Sequence, residues 1–240
     1  MADPLHQFVV NPLVPINVAG LDLSFTQSSL WMLISVGAAY GLVMLGTKHA
    51  ALIPGRLQSV VELAYEFIAG LIKDNAGREG MRYFPAIFTL FMFILFGNML
   101  GLVPMAFTFT SHIIVTFAMA ITVFVLITAL GFAIHGAHFA HFFVPAGAPK
   151  AMIPLLVPIE IISYCVRPIS LSVRLFVNMM AGHMMLKVFA GFVTALGIFG
   201  FAPLAVTVAL LGFEVVVAFL QAYIFTVLTC IYLHDAIHMH

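Results

Sequence analysis

Charge is what this chain of 240 residues has least of. Nine Lys+Arg and nine Asp+Glu make up 8% of it, against about 25% in a soluble domain. So few charges cannot cover a water-soluble globule of this length. A formal net charge of zero also removes the basic footprint of a nucleic-acid binder. Cysteine is nearly absent: Cys165 and Cys230 both sit in apolar runs, so a secreted disulfide framework is not indicated. The opening Met1-Ala2-Asp3-Pro4 has no basic stretch leading into an apolar one, so no cleavable signal peptide is expected. No G-x-x-x-x-G-K-[ST] loop occurs, so the chain is not expected to handle ATP itself, and no cofactor is expected. What is present is apolar: 63% hydrophobic residues, 24 of them Phe, and a mean hydropathy of +1.17. The expected fold is all-α, a single polytopic membrane domain over residues 1–240 with about five crossing helices.

Three parts are expected along the chain. Residues 1–27 mix Pro, Asn and Asp with short apolar runs and read as an irregular interfacial arm. Residues 28–150 hold spans at about Ser28–Thr47, Tyr83–Val103 and Ile113–Ile134 with their connections. Between the first two spans, Val60, Val61, Leu63, Ala64, Phe67, Ile68 and Leu71 recur at helical spacing, interrupted by Glu62, Glu66 and Lys73. That pattern predicts an amphipathic helix lying on the membrane, followed by a polar loop over Asp74–Arg82. Residues 151–240 hold two stretches, Ala151–Leu196 and Phe201–Leu233, each longer than the ~20 residues an upright crossing needs. The first is compatible with one long tilted helix or with two. Together they are expected to form an antiparallel hairpin that builds the functional site. Lys48, Arg56, Lys73, Arg78, Arg82 and Lys150 all fall on one side of a five-span arrangement, while residues 1–47, 106–112 and 196–203 contain no Lys or Arg. This bias predicts an outside N-terminus and a cytoplasmic C-terminus.

Ionisable residues inside those last stretches demand a reason, because a central charge costs ~2.5–3.5 kcal/mol on insertion scales. Glu160, Ser163, Arg167, Ser170, Arg174 and Asn178 recur every three or four residues and form one polar stripe, which should face protein or a water-filled path. In the final helix Glu214 and Gln221 share a face. A hairpin turning near Gly197, Gly200 and Pro203 sets Arg174 opposite Gln221, His183 opposite Glu214, and Glu160 opposite Asp235. His183 lies about half a turn round the helix from Arg174. Either the helices wrap, or His183 opens on a different cavity. Lys187 is expected to snorkel outward. His135, His138 and His141 spread over too wide an arc for a compact ligand set, without a nearby Cys or carboxylate. They are read as an interfacial loop, and no metal is expected. Asp235, His234, His238 and His240 are placed at the inner mouth or in solvent.

The run from Pro158 through Glu160, Ser163, Arg167, Ser170, Arg174 and Asn178 to Gly182-His183 resembles subunit a of the F-type ATP synthases. The segment Leu220-Gln221-Ala222-Tyr223 is similar to that family's last helix, and Phe96-Gly97-Asn98-Met99-Leu100-Gly101 also matches. The resemblance spans nearly the whole chain. It implies a non-catalytic, proton-translocating stator subunit with two offset aqueous half-channels, which feed and drain the carboxyl groups of a rotating c-ring. It implies Arg174 as the essential cation facing the ring carboxylate, and Glu160, Asn178, His183, Glu214 and Gln221 along the proton path. The implied partners are c-ring subunits, peripheral-stalk b-type subunits, the remainder of the synthase and the lipid bilayer. The implied location is a bacterial inner membrane, with the mitochondrial inner membrane as the alternative. Many bacterial members carry a carboxylate at the position of His183 and a histidine at that of Glu214. Here the two are exchanged, and a relay still has both groups. A self-contained channel or secondary transporter stays open as a second class, although no internal repeat supports it. A haem enzyme would need facing His pairs within spans, and only His183 lies deep in one.

Overall fold

A computed structural model describes residues 12–15, 17–18, 21–22, 24–48, 51–103, 106–136, 139 and 152–238. Two short antiparallel pairs precede the first helix: β1 (Pro12–Val14) with β4 (Phe25–Thr26), and β2 (Asn17–Val18) with β3 (Leu21–Asp22). The described part of the arm is thus strand-paired where the composition suggested irregular chain. Thr26 then caps α1 (Gln27–Thr47), its hydroxyl accepting from the Ser29 amide at 3.3 Å, as an N-cap threonine does for an otherwise unpaired donor.

The amphipathic segment forms α2 (Arg56–Gly80), longer than its periodicity suggested. Helix continues through the stretch expected to be a polar loop and is interrupted only at Gly77, whose φ of 72° lies in the left-handed region. Glycine enters that region without the steric penalty of a Cβ. The polar residues Asp74, Asn75 and Arg78 therefore sit on helical turns, where Asn75 Nδ2 donates to Leu71 O at 2.8 Å. A 3₁₀ turn at Met81–Tyr83 leads into α3 (Phe84–Gly101), and a second at Phe109–Ser111 leads into α4 (Ile113–His135). Two long helices close the chain: α5 (Ile153–Ala195) and α6 (Phe201–Ile237).

Five helical runs are long and apolar enough to cross a membrane: Gln27–Thr47, Arg56–Gly101, Ile113–His135, Ile153–Ala195 and Phe201–Ile237. The expected count of five and the all-α polytopic class hold. The alternative of two helices between Ala151 and Leu196 is resolved in favour of one, with Pro158 and Pro168 inside it. At ~1.5 Å per residue, α5 and α6 extend roughly 65 and 55 Å, about twice the ~30 Å hydrocarbon layer.

Helix α6 is the hub and packs against α2, α3, α4 and α5. The core where these meet holds Ile68, Ile72, Phe91, Ile94, Leu175, Met179 and Phe225, all at most 2% exposed. Two ends can be told apart. His238 Nε2 lies 3.7 Å from Glu79 Oε2, and His135 Nε2 lies 3.1 Å from Ile237 O. These contacts gather the C-terminal ends of α2, α4 and α6. The opposite end collects the end of α3, residues 106–112 and the middle of α5, joined through Thr108 and His183.

Candidate functional site: the α5–α6 hairpin

Helix α5 hides one face and shows another. Leu171, Leu175 and Met179 recur at intervals of four and are buried, while Ser170, Val173, Arg174 and Val177 lie on the exposed side. Arg174 makes no hydrogen bond or ion pair with any described residue. It is an unneutralised guanidinium on the flank of a helix that otherwise presents Val173, Val177, Ile162 and Ile169 outward. The neighbouring outward face of α6 is apolar as well, with Phe213, Val216, Phe219 and Leu220 exposed. Gln221, expected opposite Arg174, is buried and makes no hydrogen bond to it.

Between the helices on the Arg174–His183 side lies a cleft of about 290 Å³. Asn178, Gly182, Glu214 and Gln221 line it along with apolar side chains, and Arg174 is not among them. Three of the sequence-derived site residues therefore share one cavity, and Arg174 lies outside it. His183 is not among the lining residues either; it reaches Glu214 from the α5 side.

Glu214 is 4% exposed, and neither of its carboxyl oxygens has a hydrogen-bond partner. His183 Nε2 approaches Glu214 Oε1 to 3.8 Å, beyond hydrogen-bond length. The same nitrogen lies 3.0 Å from Thr108 Oγ1. Burying a carboxyl without a donor is costly. A group kept in that condition is suited to exchanging a proton rather than to holding the fold together. Gly182 makes room for it: a Cβ there would come within 2.5 Å of Glu214 Oε1.

Towards the other end, Arg167 Nη1 donates to Asp235 Oδ2 at 3.0 Å. Its guanidinium lies over the rings of Tyr164 and Tyr232, at 5.2 and 4.9 Å from their centroids. Tyr164 is tied in turn to α4, its hydroxyl 2.7 Å from Thr128 Oγ1. The hairpin register set Glu160 at the depth of Asp235, yet Asp235 pairs with Arg167. The offset follows from side-chain direction. Helical side chains lean towards their own N-terminus, so in antiparallel neighbours Arg167 leans down and Asp235 leans up until they meet. Glu160 is half-buried and has no ion-pair partner among the described residues. Lys187 is exposed. Cys165 is exposed and Cys230 buried, both as free thiols.

His135, the last residue of α4, is used in the contact to Ile237, while His138 and His141 lie outside the described residues. His240 also lies outside them. His234 and His238 stack on each other at 4.7 Å. Sequence reasoning missed Thr108, Tyr164 and Asn98 as parts of the site's frame. Asn98 is fully buried on α3 and donates to the Ala218 carbonyl of α6 at 3.2 Å, one turn from Glu214. A buried amide amid Phe96, Gly97 and Met99 was the available signal.

The family described as ATP synthase A chain matches residues 29–234 of this chain. Among curated relatives, ATP synthase subunit a of Parvibaculum lavamentivorans is 60% identical, covering 98% of this chain and 94% of that protein. Subunit a of Rhodospirillum rubrum is 57% identical over the full length of both chains, and that of Rhizobium etli 56% identical over 98% of this chain and 97% of its own. With a family match covering most of the residues and relatives this similar end to end, the chain belongs to the ATP synthase subunit a family.

Proposed function

We propose that this chain is the proton-carrying stator subunit of its synthase, with two offset half-channels meeting at Arg174, and that it performs no chemistry on nucleotides. The observation that carries the reading is the pairing of an unneutralised, outward-facing Arg174 with a separate cleft holding Glu214, Asn178 and Gln221. Arginine stays protonated even in apolar surroundings. A carboxyl on a passing partner helix is therefore driven to its ionised form when it comes opposite Arg174 and takes up a proton again once past it. The same cation repels protons from a direct route across. The exposed apolar flanks of α5 and α6 around Arg174 fit a surface that slides against further apolar helices, here a c-ring.

His183 and Glu214 form the relay on one side, continuing past Asn178 and Gln221. Glu160 serves the other side beyond Arg167. The bias of Lys48, Arg56, Lys73, Arg78 and Arg82 to one side of the five-span arrangement, with the α2 end at Glu79 meeting His238 of α6, supports a cytoplasmic C-terminus and an outside N-terminus, and the bacterial relatives support a bacterial inner membrane. Movement of one charge through such a path draws on ~2.3 kcal/mol per 100 mV of membrane potential. Peripheral-stalk b-type subunits and the rest of the synthase complete the assembly.

The test is ATP-driven proton pumping in vesicles whose complex carries Arg174→Ala, with assembly quantified in parallel. Full assembly with pumping abolished is the expected result. Assembly with pumping near the unaltered rate would reduce Arg174 to a surface charge and return a self-contained transporter to contention.

A further inference from the structure

Residues 106–112 carry no charge and would pass for an ordinary connection, yet Phe107, Thr108, Phe109, Thr110 and Ser111 are all buried. They are held by notches in α3. A Cβ at Gly97 would come within 2.5 Å of the Phe109 ring, and one at Gly101 within 2.8 Å of Thr108 Oγ1. Ser111 Oγ closes the turn by donating to Thr108 O at 2.6 Å. The segment is thus seated from three sides, and its seating delivers one hydroxyl to His183.

From this geometry we infer that Thr108 is a positioning residue for the His183–Glu214 relay. It holds the imidazole with its proton on Nε2, between two acceptors. A threonine hydroxyl has one proton to give, and Thr108 gives it to Gly101 O at 3.0 Å. Towards His183, also at 3.0 Å, Thr108 Oγ1 must then accept, so Nε2 carries the hydrogen. Nδ1 is left as the open acceptor. A proton arriving at Nδ1 makes imidazolium, and release of the Nε2 proton to Glu214 Oε1, 3.8 Å away, restores neutral imidazole. One proton enters at Nδ1, one leaves from Nε2, Glu214 is left protonated, and the ring now carries its hydrogen on Nδ1 until it is returned to Nε2 for the next transfer. Thr108 sets which nitrogen releases, and it keeps the ring from collapsing onto Glu214 between transfers. The charged and titratable groups around His183 are Glu214 on α6 and Lys187 one turn along α5, with His112 closing the loop that carries Thr108.

This inference rests on the relay reading above, and the experiment separates the two. Thr108→Val keeps the shape and removes the acceptor, Thr108→Ser keeps the acceptor, and Glu214→Gln tests the relay itself. Each is introduced into the whole synthase and followed by pumping in vesicles from about pH 6 to 8, with assembly measured. Thr108→Val is expected to lower pumping per assembled complex about tenfold, as loss of one buried hydrogen-bond partner does, and to displace the pH optimum. Thr108→Ser is expected to keep both. If Glu214→Gln blocks pumping while Thr108→Val matches the unaltered rate and pH profile, Thr108 has no positioning role and the relay stands. If Glu214→Gln pumps normally, the relay reading itself falls. Should the valine variant fail to assemble, Thr108→Ala, which only removes atoms, replaces it with the same expected loss. Equal pumping by the alanine and serine variants overturns the inference.

Discussion

The α5–α6 hairpin carries two ionisable clusters with opposite habits. At one, Arg167 and Asp235 are in hydrogen-bond contact, the guanidinium is faced by two tyrosine rings, and one of those tyrosines is anchored to α4. At the other, Glu214 is buried with both oxygens unbonded, and His183 Nε2 lies at hydrogen-bond distance from Thr108 Oγ1 instead. The first arrangement has nothing left to exchange. The second has been left incomplete and is supported by spaces, at Gly182 and Gly101, that hold no side chain. Satisfied pairs hold helices in register, whereas unsatisfied ones are free to change protonation. On the proposed relay reading, the contrast separates a cluster that belongs to the frame from one that belongs to the path.

The largest effect is expected from the sharpest challenge to that contrast. Glu214→Gln keeps the size of the buried group and removes its titration, so pumping per complex should fall at least about a hundredfold while assembly is retained. Normal pumping would erase the distinction. Next comes Asp235→Ala, which strands Arg167 in a partly buried setting. It should cost about 1–3 kcal/mol, less than for a fully buried pair because both side chains keep some solvent contact. The readout is the yield and thermal stability of assembled complex, with pumping per complex largely kept. The double replacement Arg167→Met with Asp235→Leu should recover most of that loss. If pumping vanishes instead, the Arg167 cluster is part of the path after all.

A smaller effect is expected at Asn98. Asn98→Ala should lower stability by about 1 kcal/mol through loss of its hydrogen bond to α6, seen as an earlier thermal loss of assembled complex. The smallest concerns acid. His112 stacks on Phe107 at 5.1 Å, and burial holds its imidazole below the ordinary value. The folded loop favours the neutral ring, so the unfolded chain takes up a proton first as pH falls through about 6.5. The loop's stability is full above that pH and declines below it. The protection factors of residues 106–112, taken against the intrinsic exchange rate at each pH, should therefore fall between about pH 7 and 5.5, and His112→Gln should flatten the response. Unchanged protection across that window in the unaltered protein would show that His112 does not set it.

Much of this was legible before any coordinates. Scarcity of charge named the solvent, and the spacing of the polar stripe named its helix. Counting outward from Gly197 and Pro203 put His183 across from Glu214, where the two do lie. The same counting failed for Asp235, because residue numbers locate backbones while the partner is chosen by the lean and reach of the side chains. It also failed for α2, whose polar last turns read as loop because the helical pattern dissolves where no apolar face is needed. Thr108 was unreadable for a different reason. Its role comes from a hydroxyl meeting a histidine 75 positions away, and no local pattern encodes that meeting.

The spaces at Gly97, Gly101 and Gly182 carry a consequence for reading mutational surveys of this protein. Each is a position with no functional group to lose, yet adding one methyl group there intrudes on Phe109, Thr108 or Glu214. A substitution scan should therefore flag these three as strongly as the ionisable residues. A map of intolerant positions would outline the mould around the proton route as well as the route itself. Removing a side chain and adding one would then be two different experiments: the first asks what conducts, the second what must stay empty for conduction to occur.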